Sequence, residues 1–389
     1  MNKIRISDEE FKSRIKQVQA AMKSQGVELL LCYGNEAEPQ YVRYFSDYWP
    51  SFETAGVLIF QDGEPVLLIG PESYTYAADR SRIPEIRLLK AFRESSDPEY
   101  PGKPLDTFQS VIAERLGTYR PESIYVAGYS LMNVGVYASL LELFDAVNVR
   151  KGDSLVNDIR MIKTEGELTC MRVAADITHK TFDYVLENVH PGMTETQVVG
   201  LALGKMHELG AERESYPMWV LTGDGSDQAI SRARSKTIFP GDFTFLQIGA
   251  RYEGYASSIG RPIIFGKANE LQLKLIEAGY IGQNTVFNHI RDGLCAGDLA
   301  RLYEKKIIEA GFGDWLLYGP CHGNGLMEGE APWIETSADF ILKENMTFCC
   351  DIFLGNKNKK MGLRMEDVIR VTRDGCENLT GYEQKVIEL

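Results

Sequence analysis

The sequence predicts two domains in tandem: an α/β domain over residues 1–153, and an α+β domain over residues 154–389 whose second half approximately repeats its first. Three observations lead there. Apolar runs rich in β-forming residues alternate with helical patterns up to about residue 150, the signature of an α/β layer. Beyond it the order is two helices, strands, two helices, strands. A chain of 389 residues is also longer than one hydrophobic core usually fills.

Residues 7–25 begin with Ser7 as an N-cap and Glu10 three positions on, then place Phe11, Ile15, Val18 and Met22 at helical spacing, and Gly26 stops the helix. The runs VELLLCYG, AGVLIFQDGEPVLLIG and SIYVAGY read as strands, with Asp62 and Gly63 as a hairpin turn. Helical patterns at 104–117 and 133–144 lie between later strands. No low-complexity linker separates the two domains. A long amphipathic helix is expected at 165–188 and, after the break at Pro191 and Gly192, Thr194 caps a second at 195–209. Strands at 217–222, 243–249 and 252–265, helices at 268–290 and 296–310, and strands at 345–353 and 364–372 complete the second half.

Composition narrows the function classes. With 44% hydrophobic and 25% charged residues the chain is an ordinary globular protein, and no apolar run approaches the roughly 18–20 residues that span a bilayer. The N-terminus lacks the apolar stretch of a signal peptide, so a cytoplasmic location is expected. A net charge of -13 and the absence of a polybasic run oppose nucleic-acid and membrane-surface partners, leaving a small-molecule substrate. Seven cysteines without CxxC spacing point to reduced thiols, and Cys349 and Cys350 are expected to serve packing.

Four phrases carry the chemistry: QIGARYEGYASSIGR from Gln247 to Arg261, CHGNG from Cys321, Asp351, and the RMED phrase from Arg364 to Asp367. Together with the repeat, whose helix pairs break at similar phrases around His190 and Asp292, they resemble the pita-bread family of creatinase, aminopeptidase P and prolidase over roughly residues 155–389. The first domain resembles the smaller domain that precedes it there. The resemblance implies a homodimer and, in the metallopeptidases, two aspartates eleven residues apart, one histidine and two glutamates around two cations. Here those positions read Gln247, Ser258, His322, Asp351 and Glu366. Two neutral groups replace two anions, which leaves two cations poorly compensated. The two acid-base histidines of the metallopeptidases are missing as well, since residues 223–242 hold none and Gly329 stands seven positions after His322. Creatinase, which works without metal, shares the lost aspartates but relies on a histidine where this chain has Ile230 or Ser231.

The expectation is therefore a metal-independent hydrolase of a C–N bond in a small nitrogenous metabolite, with no cofactor. His322, Glu366, Glu330 and Asp351 are the catalytic candidates; Arg364, Arg261, Glu328, Gln247, Ser258 and Tyr255 are candidates for substrate contact. His322 suits proton transfer because a histidine beside carboxylates titrates near neutrality. Crowded carboxylates repel, so one of them is expected to be protonated or paired with Arg364. The alternatives are a divergent metal-dependent Xaa-Pro aminopeptidase or dipeptidase, with one divalent cation such as Mn, Zn or Co on His322, Asp351 and Glu366, and a catalytically silent binding protein on the same fold. His179, His190, His207 and His289 are read as structural or solvated, and Trp219 and Trp333 as core or pocket wall.

Overall fold

The apolar runs of the N-terminal region are strands of one six-stranded sheet in the computed structural model, which describes residues 4–389. Ser7 accepts from the Glu10 amide at 3.2 Å and starts the helix Asp8–Ser24, whose buried face is the one the 3.6-residue spacing marks. Ala55–Phe60 and Val66–Ile69 pair antiparallel across the turn at Gly63, while Ile86–Leu88, Ile124–Ala127 and Val149–Lys151 join in parallel. The expected helices are present in shortened form as Phe108–Leu116 and Val134–Leu141.

Residues 6–160 form one compact unit, and residues 161–389 together with residues 4 and 5 form the other. The helix Asp153–Arg160, at whose start the expected division falls, groups with the first.

The second unit shows the anticipated duplication. Glu165–Asn188 and Glu195–Glu208 form one helix pair, Glu270–His289 and Ala296–Glu309 the other. The pairs turn at Gly192 and Gly293, both at positive φ. Capping boxes at Thr164 with Glu167, Thr194 with Gln197 and Asn269 with Gln272 begin three of the four helices. The large sheet runs in the order Glu330–Ile334, Cys321–Gly323, Thr347–Asn356, Met361–Val371, Ile259–Ile264, Phe243–Ile248, Trp219–Thr222. One expectation changes. The strand read over 252–265 is broken, because Glu253 and Gly254 at φ 47° and 88° fold the chain into a tight hairpin between Ala250–Tyr252 and Tyr255–Ala256. Only Ile259–Ile264 continues in the large sheet.

Strand alternation then decides what each face carries. Along Thr347–Asn356, the side chains of Phe348, Cys350, Ile352 and Leu354 enter a core with Leu275 and Val286 of one helix and Leu299 and Tyr303 of the next. Each buried apolar side chain of this kind contributes about 1.5–3 kcal/mol. Cys349, Asp351 and Phe353 point the other way, and so do Arg364 and Glu366 on the neighbouring strand. The cost of holding these polar groups is met by the apolar face behind them.

Candidate active site

Two rows of residues cross the outer face of the sheet. In the first, Trp219 faces Gln247, Gln247 faces Gly260, Gly260 faces Glu366, and Glu366 faces Asp351. In the second, Trp333 faces His322 and His322 faces Cys349. Gly260 lies where a Cβ would come within 3.1 Å of the Glu366 Cβ, so the missing side chain leaves the carboxylate its room. Glu328 arrives from the loop between Cys321–Gly323 and Glu330–Ile334. Asn324 donates to the Glu328 carbonyl at 3.2 Å, and Thr347 donates to the Asn324 carbonyl at 2.6 Å, which fixes that loop to the sheet.

His322 is held in one orientation. Its Nδ1 lies 3.1 Å from the Gly323 carbonyl, and a carbonyl can only accept, so we assign the proton to Nδ1. The bare Nε2 then faces carboxylates, with Glu328 Oε1 at 3.7 Å and Asp351 Oδ2 at 4.0 Å. The indole of Trp333 packs 5.1 Å from the imidazole and is 45% exposed, so it forms wall rather than core.

Asp351 is already engaged. The Tyr318 hydroxyl donates to its Oδ2 at 2.7 Å, and Arg364 Nε approaches its Oδ1 at 3.4 Å. Arg364 also donates to the Ala229 carbonyl and the Tyr318 oxygen at 2.7 Å each, and its guanidinium lies 4.5 Å over the Trp219 ring. Burial opposes its charge, yet Asp351, Tyr318 and Glu366 outweigh it, and the pKa moves upward.

Glu366 and Glu328 are the unsettled pair. Gln247 donates its amide to Glu366 Oε2, while Glu366 Oε1 is buried without a hydrogen-bond partner. Burial first, then the charges of Glu328 and Asp351, push the Glu366 carboxyl well above the usual carboxylate range. Glu328 is raised chiefly by burial too, and Cys349, whose thiol points at Glu328 Oε1 from 3.8 Å, is raised by burial and by both glutamates. Of the crowded carboxylates, Asp351 is thus paired with Arg364, and Glu366 holds a proton readily.

These contacts decide which cations the residues suit. Gln247 presents its carbonyl to Arg364 at 3.3 Å and its amide to Glu366, and Ser258 shares its hydroxyl with Tyr216 at 2.8 Å. Neither offers an anionic bridge, so a two-cation centre does not fit. One cation does fit. His322, Glu328, Cys349 and Glu366 bring ligand atoms within 4.8 Å of one another, and a histidine whose Nδ1 donates to a backbone carbonyl is oriented as metal ligands usually are.

The model of metallopeptidase family M24 matches residues 169–373, more than half the chain, and that of the creatinase/prolidase N-terminal domain matches residues 14–162. The chain belongs to metallopeptidase family M24. As a peptidase-family member it is a hydrolase of C–N bonds. A Xaa-Pro dipeptidase of Pyrococcus furiosus is 26% identical over 354 residues, covering 90% of this chain and 94% of that protein. A Xaa-Pro dipeptidase of Lactobacillus delbrueckii subsp. lactis is 24% identical over 350 residues, 88% and 91% of the two chains. Among solved structures, the prolidase from Pyrococcus horikoshii OT3 aligns with a TM-score of 0.81 at 24% identity, covering 96% of this chain and 100% of the other. The X-Pro aminopeptidase from Thermotoga maritima MSB8 aligns at 0.82 with 21% identity over 96% and 99%. These two structural likenesses establish the shared M24 fold.

Within that fold, several expected site residues lie elsewhere. Arg261 is fully buried on the opposite face, where it donates to Asp367 at 2.7 Å and to three backbone carbonyls. Tyr255 donates at 2.7 Å to Glu167, in the first turn of the helix Glu165–Asn188. Glu330 accepts from Lys163 at 3.0 Å and tethers its loop instead of meeting His322. Cys349 was missed as a site residue; its signal was the two-residue spacing to Asp351 on one strand. Glu328 was named, but for substrate contact rather than the centre it occupies. The other four histidines contact backbone carbonyls, Thr380, Pro191, Ala211 and Thr285 respectively. Among the described residues no helix is long and apolar enough to cross a membrane.

Proposed function

We propose that the chain cleaves the C–N bond of small Xaa-Pro dipeptides with one divalent cation held by His322 and the buried acidic groups beside it. The observation that carries this reading is the His322 ring, whose Nε2 is turned toward buried carboxylates by the Nδ1 contact to Gly323. Near-full-length similarity to dipeptidases of that name supports the substrate class. A bound divalent ion supplies a water of lowered pKa and polarises a carbonyl. The chain's own groups do the rest. Arg364 and Tyr318 hold the Asp351 carboxylate in place beside the histidine, and the Trp333 indole shields one side of the imidazole. A homodimer, which the family resemblance implies, and a cytoplasmic location complete the reading, and light scattering on the purified protein tests the first.

A metal-free hydrolase remains the second reading, favoured by the neutral Gln247 and Ser258 at positions where the metallopeptidases carry aspartates. One experiment separates the two. Protein stripped with a chelator is assayed against a panel of Xaa-Pro and Xaa-Ala dipeptides before and after Mn2+, Co2+ or Zn2+ is restored. Cleavage of Xaa-Pro only after restoration supports the proposal; undiminished turnover in the stripped protein overturns its metal requirement.

A further inference from the structure

The chain has lost carboxylates at positions 247 and 258, and the fold brings in another at 328, from a loop position outside the ligand set that the resemblance implies. Glu328 stands 3.7 Å from His322 Nε2 and is touched by the Cys349 thiol at 3.8 Å. Asp351, the residue that the resemblance would make a ligand, accepts from Tyr318 at Oδ2 and is ion-paired at Oδ1 with Arg364 at 3.4 Å, a contact without a hydrogen bond. A second observation points to a guest. Glu366 Oε1 is buried with no hydrogen-bond partner, in a cluster whose other oxygens belong to Glu328, and two carboxylates have only acceptors to offer each other. Either a proton or a cation belongs between them.

The donors, one imidazole nitrogen, two carboxylate oxygens and one sulfur, lie within 4.8 Å of one another. Zinc-type ligation brings such atoms to about 3.3–3.8 Å apart, so closure by about 1 Å completes the site. Sulfur and imidazole select borderline-soft ions over Mg2+ or Ca2+.

We propose that His322, Glu328, Cys349 and Glu366 form a single-ion site for a borderline-soft divalent cation, with Glu328 and Cys349 replacing both the lost aspartates and Asp351. This rests on the metal-dependent reading above and assigns its ligands. The test is titration of the chelator-treated full-length protein with Co2+, followed by visible absorption and by metal content after dialysis. Wild type takes one Co2+ per chain with a thiolate-to-cobalt band, and Cys349→Ser removes the band while binding persists. Glu328→Gln weakens Co2+ binding by about 100-fold or more, Glu328→Asp restores part of it, and Asp351→Asn changes it by about tenfold or less. Melting curves confirm that each variant is folded.

The inference is overturned if Asp351→Asn abolishes binding while Glu328→Gln does not, if a second Co2+ binds with comparable affinity, or if none binds. Parallel Xaa-Pro hydrolysis separates the two readings. Metal-dependent cleavage that tracks Asp351 rather than Glu328 sinks the ligand assignment and leaves the function standing, whereas one Co2+ on Glu328 without dipeptide cleavage does the reverse.

Discussion

Glu366 and Asp367 are consecutive residues, equally buried, and their surroundings are opposite. Asp367, on the helix side of the sheet, accepts from Arg261 at 2.7 Å and from Gln283 and Thr380 at 2.9 Å each. Glu366, on the other face, meets a neutral amide on one oxygen and nothing on the second, with more carboxylates close by. A buried charge whose acceptors are all filled locks the fold, whereas one left short of a partner keeps affinity for something the chain does not supply. The difference separates a structural ion pair from a site, although both use acids and arginines from the same strands.

The comparison can be broken most forcefully on its structural side. Arg261→Met leaves Asp367 charged and unpaired in the interior, and urea unfolding is expected to show a loss of about 3–5 kcal/mol. A smaller cost, about 1–3 kcal/mol, is expected for Glu330→Gln, because Lys163 keeps a hydrogen bond but loses its counter-charge. If Glu330 acts only as a tether, that variant retains kcat on a Xaa-Pro dipeptide, while His322→Ala lowers it by about 100-fold or more; a collapse of kcat in Glu330→Gln would place it back among the catalytic groups.

On the site side the sign reverses. The Glu366 carboxyl is raised by burial, so its stabilising contribution is complete below the unfolded value and disappears as pH rises through the folded one. In metal-free protein, Glu366→Gln is accordingly expected to be more stable than wild type by about 1 kcal/mol, with a margin that grows above pH about 4.3. Equal melting temperatures across that range would show that the charge is compensated after all. The smallest effect belongs to the surface. Glu377 is held low mainly by its hydrogen bonds from Arg172, opposed by burial and helped by Arg370, and is partly exposed, so Glu377→Gln costs about 0.5 kcal/mol or less. That small contribution is present above the unfolded carboxylate pKa and fades as pH falls through the depressed one, which acid titration of the melting temperature can follow.

The helices, the repeat and most strands were legible because their signals are local. Ser7 and Thr194 cap where the sequence places them, and apolar spacing marks the buried faces. His322, Asp351, Arg364 and Glu366 were likewise legible as site residues, since short phrases on adjacent strands converge once the strands pair. What escaped was assignment of roles. Arg261 and Glu366 stand in phrases of equal promise, yet they reach opposite faces of one sheet. Glu330 looked as acidic and as near to His322 as Glu328, and only the position of Lys163 separates them.

The sequence by itself determined the two-part architecture and the neutral residues at 247 and 258, because patterning and identity are properties of neighbours along the chain. Only the tertiary structure decided that Glu328 and Cys349 cluster with His322 and Glu366 while Asp351 pairs with Arg364 and Tyr318. That choice depends on which distant groups compete for each buried oxygen, and hydrogen-bond competition between residues 21 and 117 positions apart leaves no local trace in the order of amino acids.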